Sequence, residues 1–187
     1  MMKSWTVNSL FVLALCAIAG CSASNQEFEF TKGVPRYFTV PFVATPPEVV
    51  AAMLELAGTG PGDIVYDLGS GDGRIPIAAV RDFGAQKAIG IDIDLSLLKK
   101  ASENAAKAGA SERVEFRRAD IYETDFGDAT VVTMYLAEDA NKVLRPRLES
   151  QLAPGSRIVS HLFKMGRWEP EKTIKVGDRS IYLWTVR

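Results

Sequence analysis

The segment VYDLGSGDGRI, residues 65–75, constrains the fold of this chain more than any other. An apolar run that ends at a glycine-rich turn is typical of a buried strand leading into a helix. Gly69, Gly71 and Gly73 allow the backbone of this turn to come close to a ligand. The segment therefore predicts the first strand–loop–helix unit of an α/β fold, with a binding site at the carboxyl end of the strand.

The rest of the sequence alternates strands and helices in the same way. Apolar segments predict four more strands, at residues 88–94, 113–120, 129–136 and 156–163. The tail predicts two further strands that are joined at Gly177 and Asp178. The length of 187 residues suits one domain. We therefore expect a Rossmann-like α/β sandwich whose seven-stranded sheet is mostly parallel, with an antiparallel C-terminal hairpin.

A helix is also predicted before the first strand. Thr45 and Glu48 have the spacing of a capping box, and Pro46 would then occupy the first helical position. Apolar residues recur at helical spacing between residues 49 and 57. The pattern predicts an amphipathic helix that Thr45 caps.

The glycine loop does not have the spacing of a phosphate-binding motif. A dinucleotide fingerprint places its third glycine where this chain has Arg74, and no Gly-Lys-Ser/Thr ending marks a P-loop. Asp67 and Asp72 would also repel a phosphate at close range. The loop is better suited to a cationic nucleoside than to a pyrophosphate, which disfavours an oxidoreductase.

The motifs DLGSGDG, residues 67–73, and GIDID, residues 90–94, resemble those of the class I S-adenosylmethionine-dependent methyltransferases. The resemblance implies a class I methyltransferase sandwich with S-adenosylmethionine as its cofactor. It implies that Asp67 lies near the methionine amino group, that Asp92 accepts hydrogen bonds from both ribose hydroxyls, and that Asp120 takes the adenine amino group. The other cofactor contacts that it implies are the loop glycines and two residues beside the adenine: Gly69, Gly71, Gly73, Ile93 and Ile121.

Two longer segments, residues 40–57 and 129–161, are similar to bacterial relatives of the mitochondrial membrane-associated lysine methyltransferases. Eukaryotic members of that group modify ATP synthase c-subunit and adenine nucleotide translocase, so the resemblance implies a protein substrate with a target lysine. Tyr135 is the candidate catalytic residue that orients the amine, while Tyr37 and Thr45 are candidates to close over the methionine end of the cofactor. The group usually has Y-V-P-T-P where this chain has Phe42 and Ala44, so a hydroxyl is missing there.

The first 20 residues predict a lipoprotein-type signal peptide. Lys3 precedes an apolar stretch, residues 10–19, that is too short to span a membrane. Residues 18–21, Ile-Ala-Gly-Cys, resemble the bacterial lipoprotein signal, which implies a lipid on Cys21. Residues 21–36 then predict a polar tether, and residues 37–187 the methyltransferase domain. We therefore expect a membrane-anchored lipoprotein of the bacterial cell envelope, an expectation that conflicts with the cytosolic synthesis of S-adenosylmethionine.

The charge and composition of the chain argue against a nucleic-acid partner and against a metal site. The formal charge is −1 and the basic residues are scattered, so no nucleic-acid partner is expected. No metal site is expected, because His161 is the only histidine and both cysteines precede residue 22. We interpret His161 as a hydrogen-bonded structural residue. The sequence leaves open a non-catalytic module of the envelope that binds a nucleoside or a protein on the same fold.

Overall fold

A computed structural model describes residues 41–187. The predicted signal peptide, the predicted lipidation site Cys21, the predicted tether and Tyr37 lie outside the described residues. The strands are β1 Ile64–Leu68, β2 Lys87–Asp92, β3 Val114–Arg118, β4 Val131–Met134, β5 Arg157–His161, β6 Lys172–Val176 and β7 Arg179–Thr185. The helices are α1 Pro47–Leu56, α2 Arg74–Arg81, α3 Leu95–Lys107 and α4 Glu138–Gln151.

The seven strands form one sheet in the order β3-β2-β1-β4-β5-β7-β6. Strands β1 to β5 pair in parallel, whereas β7 pairs antiparallel with both β5 and β6. The predicted parallel sheet and the predicted hairpin at Gly177 are therefore confirmed. The strand order reverses between β1 and β4, which makes their carboxyl ends the expected position of a ligand cleft.

The two faces of the sheet bury separate apolar clusters. Successive side chains of a strand point to opposite faces, so Val65 packs with α1 and α2 while Tyr66 packs with α4. Helix α4 contributes Leu144 and Leu148 to its cluster, and both are fully buried. Burial on both faces fixes the strand register, and hence which residues stand at the carboxyl edge.

The predicted capping box before β1 is wrong. Helix α1 begins one residue later than expected, with Pro46 as the N-cap residue and no side-chain capping bond. The Pro46 carbonyl accepts the first helical bonds, from the amides of Val49 and Val50. The Thr45 carbonyl instead accepts a bond of 2.8 Å from Arg74 Nη1, while the Thr45 side chain is buried in a cleft. Thr45 therefore contacts the first residue of α2 through its carbonyl and does not cap α1.

Two predicted boundaries also shift. Strand β2 ends at Asp92, because Asp94 caps α3 by accepting bonds from the amides of Ser96 and Leu97. Strand β5 ends at His161, two residues before the predicted end. Helix α4 starts at Glu138 and contains Pro146. Within residues 41–187, none of the helices combines the length and the apolar character needed to cross a membrane.

Candidate active site

The glycine loop turns sharply from β1 into α2. Gly69, Gly71 and Gly73 all have positive φ, at 76°, 53° and 80°, which explains why glycine stands at each position. The amides of Gly69 and Ser70 both donate to the Ile91 carbonyl of β2 at 2.9 Å. These bonds hold the loop against the end of the neighbouring strand, so that Gly69 lines the cleft. The other two predicted glycines, Gly71 and Gly73, are not among the lining residues and pack against the rings of Phe42 and Phe116.

Asp92 ends β2 and organises the loop as well as facing the cleft. Its Oδ2 accepts from the Gly71 amide at 2.8 Å, and its Oδ1 accepts from the Asp94 amide at 3.0 Å. A carboxylate has about four lone-pair sites, so each oxygen still has one available for a ligand. The geometry agrees with the implied role at two ribose hydroxyls.

Asp67 ends β1 and is almost completely buried. Burial raises the pKa of its carboxyl to about 7; the hydrogen bond from Thr133 Oγ1, at 2.7 Å, opposes this rise, while the charges of Asp92 and Asp72 add to it. Thr133 stands directly opposite Asp67 in the parallel register of β1 and β4. Asp67 therefore lines the cleft as an acid that titrates near neutral pH.

Asp120 follows β3 and lines the same cleft together with Ile121 and Ile93. Its Oδ1 accepts from the Tyr122 amide at 2.8 Å, which fixes the orientation of the carboxylate. Ile93 remains 40% exposed, although it is a large apolar side chain. The predicted adenine contacts are thus brought to one end of the cleft.

The interpretation of Asp72 as a charge that faces the ligand needs correction. Arg74 pairs with it through two bonds, Nε to Oδ1 at 2.9 Å and Nη2 to Oδ2 at 2.6 Å. This pairing holds the pKa of the Asp72 carboxyl below its usual range. Because Arg74 also donates to Thr45, the ion pair links the glycine loop to the segment before α1. Of the two acids, Asp67 is therefore the one that would chiefly repel a phosphate.

The segment before α1 covers the loop. A β-carbon added to Gly71 would overlap the ring of Phe42, so Phe42 packs directly on the loop backbone. Phe42 and Thr45 both line the cleft. The position where the family usually has a tyrosine is therefore part of the site.

Tyr135 and His161 follow adjacent strands and contact each other. Tyr135 is half-buried and lines the cleft, while the ring of His161 lies behind it with centroids 4.0 Å apart. The expectation that His161 is hydrogen-bonded is wrong within residues 41–187, since neither ring nitrogen has a partner. Burial, with a smaller contribution from Arg179, lowers the pKa of His161 to about 4, so its ring is neutral at physiological pH.

The cleft has a volume of about 330 Å³, which is the size of a small-molecule site. Sequence reasoning missed several of its lining residues, among them Ser70, Leu97, Tyr122 and Leu136. Each adjoins or closely follows a recognised motif, and that proximity was the only available signal. The Ser70 hydroxyl is buried, and no hydrogen-bond partner for it occurs among residues 41–187.

Comparison with known proteins identifies the family. A family model described as the ANTKMT methyltransferase domain matches residues 67–172, which is more than half of the chain. The chain belongs to this methyltransferase family.

Similar proteins cover most of this methyltransferase. It is 44% identical over 151 residues to the protein-lysine N-methyltransferase of Saccharolobus islandicus (strain REY15A), a match that spans 79% of this chain and 94% of the relative. It is 33% identical over 153 residues to the adenine nucleotide translocase lysine N-methyltransferase of Mus musculus, a match that spans 82% of this chain and 66% of the relative.

One similar solved structure is an RNA methyltransferase from Salinibacter ruber in complex with S-adenosyl-L-homocysteine. It has a TM-score of 0.75 and 51% identity, and the match covers 77% of this chain and 94% of that one. The predicted class I methyltransferase sandwich is therefore confirmed, and so is the prediction that the chain is an enzyme of the methyltransferase class.

Proposed function

We propose that this protein is an S-adenosylmethionine-dependent protein-lysine N-methyltransferase. The observation that carries the donor is the set of carboxylates Asp67, Asp92 and Asp120, at the ends of three adjacent parallel strands around one cleft. An acid-lined cleft attracts the ammonium and sulfonium charges of this donor. The solved relative at 51% identity is a complex with the demethylated form of the same molecule, which supports the assignment.

The lysine acceptor is supported by the relatives. The protein-lysine N-methyltransferase of Saccharolobus islandicus aligns over 94% of its own length, so the similarity extends beyond the cofactor motifs. The mouse relative, also named for lysine methylation, aligns over 82% of this chain. Protein lysine is therefore the acceptor class that best fits this chain.

S-adenosylmethionine would supply a methyl group on a positively charged sulfur. The lone pair of a neutral amine would form the N–C bond as the S–C bond breaks, and S-adenosylhomocysteine would be the leaving group. Asp92 and Asp120 bind its nucleoside, and Asp67 binds its amino group. A lysine has an ordinary pKa of about 10.4 and must lose a proton before it reacts. The half-buried Tyr135 and the buried Leu136 exclude water from the opposite side of the cleft, which favours the neutral amine over the ammonium. The Tyr135 hydroxyl orients that amine.

The test is methyl transfer by the full-length chain in mild detergent. Radiolabelled S-adenosylmethionine would be incubated with polylysine and with polyarginine, and mass spectrometry would locate the added methyl groups. We expect transfer to polylysine alone and its loss in Asp92→Ala. Cofactor binding without transfer to any protein would instead favour a non-catalytic binding module.

An RNA acceptor is the second candidate, because the solved relative from Salinibacter ruber is named as an RNA methyltransferase. Total RNA in place of polylysine tests it directly. Phosphate contacts make nucleic-acid binding strongly dependent on salt. Transfer to RNA that falls steeply between low and physiological salt, with none to polylysine, would replace lysine by RNA as the acceptor.

We also propose that a lipid on Cys21 anchors the chain to a membrane. The support is the sequence of residues 1–21, in which Lys3, an apolar stretch and Ile-Ala-Gly-Cys follow in order. Labelling with a fatty-acid precursor should modify the wild type and not Cys21→Ala. Protease added outside intact cells should digest an exported domain, whereas protection of the domain would place it on the cytosolic side, where S-adenosylmethionine is made.

A further inference from the structure

The chain turns abruptly after β5 at a strained residue. Leu162 has a φ of +65° and is the one non-glycine residue among residues 41–187 with a positive φ. The Phe163 amide donates to the His161 carbonyl at 2.8 Å, which closes a γ-turn of the rare, positive-φ form around Leu162. Left-handed backbone costs a bulky residue about 1–2 kcal/mol, so other contacts must hold this turn in place.

A buried pair of polar side chains supplies those contacts. Ser160 Oγ donates to the Phe163 carbonyl at 2.7 Å and accepts from Asn141 Nδ2 at 3.2 Å. Asn141 Nδ2 also lies 3.1 Å from the Phe163 carbonyl. Asn141 and Ser160 are both fully buried, and they join α4 to the end of β5. The pair therefore clamps the backbone on the carbonyl side of the turn.

The turn places Phe163 against Tyr135, which lines the cleft, although Phe163 itself is not one of the lining residues. The Phe163 ring stacks on Tyr135 at an interplanar angle of 20° and a centroid distance of 6.3 Å. The ring of His161 packs on Tyr135 as well, at 4.0 Å. Phe163 remains 37% exposed although it is apolar, which leaves ring surface for a ligand. Tyr135 is thus fixed by two rings, one buried and one exposed.

We propose that the clamp of Asn141 and Ser160 holds Phe163 beside Tyr135 as an acceptor-side wall, which extends the cleft outward from Tyr135. The proposal rests on the proposed lysine methylation and deepens it by naming what receives the acceptor. Aromatic faces attract alkylammonium groups and pack against their methylene chains. Phe163 and Tyr135 therefore contact the acceptor side chain, whereas Asn141 and Ser160 are positioning residues that act through Phe163.

The experiment measures acceptor and cofactor interactions separately in the full-length chain. The probes are polylysine in steady-state transfer and a fluorescent peptide that contains one trimethyllysine, whose binding requires no reaction. We expect Phe163→Ala to raise the KM for polylysine and the Kd of the peptide by about three- to thirtyfold. The Kd of S-adenosylmethionine should change by less than about twofold, because Phe163 follows β5 while the cofactor carboxylates follow β1, β2 and β3.

Three further variants separate positioning from folding. Ser160→Ala removes the clamp hydroxyl and should raise both acceptor constants, the KM for polylysine and the Kd of the peptide. Leu162→Gly adopts the same φ without strain and should keep the wild-type values of both constants. Phe83→Ala, beyond the far end of α2, removes an equal ring from the core and should lower the melting temperature alone.

Unchanged acceptor constants in both Phe163→Ala and Ser160→Ala would overturn the proposed wall while leaving lysine methylation intact. A wild type that binds S-adenosylmethionine but neither methylates polylysine nor binds the peptide would overturn lysine as the acceptor, and the wall with it.

Discussion

Cofactor affinity should depend on pH through Asp67. Its pKa is raised to about 7, chiefly by burial, and a cationic ligand binds the ionised carboxylate better than the neutral acid. Below pH 7 the carboxyl must therefore lose a proton when the cofactor amino group binds. We expect the affinity for S-adenosylmethionine to fall as the pH falls, by about tenfold for each pH unit well below 7.

The magnitude follows from the ionised fraction of Asp67. A pKa of about 7 leaves roughly half of the carboxyls ionised at pH 7 and about 3% at pH 5.5, so the Kd should rise by about fifteenfold. The amino group of the cofactor has an ordinary pKa of about 8 and stays mostly protonated over this range. Titration calorimetry in buffers of different ionisation enthalpy should detect the release of nearly one proton at pH 5.5.

Asp67→Asn is the matched control. Its amide oxygen can still accept the bond from Thr133, whereas the titrating proton is gone. We expect the variant to have a higher Kd for S-adenosylmethionine than the wild type at pH 7, and we expect this Kd to change little between pH 5.5 and 7. A wild-type Kd that changes by less than twofold, or an equally steep dependence in Asp67→Asn, would refute the link between Asp67 and the cofactor.

The same variant should change the stability of the free protein. The unfolded chain ionises Asp67 near pH 3.8, while the folded chain keeps the proton up to about pH 7. The folded state therefore binds more protons in this window, and its stability falls as the pH rises through it. A pKa difference of this size corresponds to at most about 4 kcal/mol. Denaturant unfolding should show Asp67→Asn gaining stability relative to wild type between pH 4 and 7.

Other predictions concern the loop and its supports. Asp92→Ala should weaken S-adenosylmethionine binding by at least tenfold in calorimetry, because each bond to a carboxylate is worth about 1.5–3 kcal/mol. Gly71→Ala should impair S-adenosylmethionine binding, since the added β-carbon overlaps Phe42. Gly109 also has a positive φ but lies beside open space, so Gly109→Ala should only lower the free energy of unfolding, by about 1–2 kcal/mol in denaturant unfolding. Arg74→Lys keeps the charge but loses the two-bond pairing, so hydrogen exchange of residues 41–50 should become faster.

Most of the sheet could be predicted from the sequence, because the apolar pattern of each strand agrees with the turn residues that end it. Strand β1, for example, is apolar, ends in Asp67 and runs into three glycines, each of which has the positive φ that its residue type permits. The cofactor carboxylates were predictable for the same reason, since parallel strands bring their carboxyl ends to one edge. The start of α1 was not predictable from the sequence. Thr45 fits the local pattern of a capping residue, but its carbonyl contacts Arg74, which lies 29 residues later in the chain.

Contacts across the fold account for the other failures. Asp72 and Arg74 are close in the sequence, so an ion pair between them could have been expected. Only the geometry shows that this pair neutralises the charge of Asp72. The packing of His161 against Tyr135 joins residues on neighbouring strands, and no local pattern marks a histidine whose ring nitrogens are both buried. The sequence around Leu162 does not indicate a positive φ, because Asn141, one of the two clamp residues, comes from another element, α4.

The topology divides the cleft into two sides of different chemistry. Strands β1, β2 and β3 bring the carboxylates, whereas β4 brings Tyr135, which packs against rings at the end of β5, and the strand order reverses between β1 and β4. Residues 41–137 contain 15 acidic and 9 basic side chains, while residues 138–187 contain 6 and 10. A lysine is attracted to the carboxylates and packs against the rings, whereas an RNA acceptor must bring phosphates towards buried acids. Transfer to polylysine and to RNA at equal ionic strength is therefore the deciding comparison.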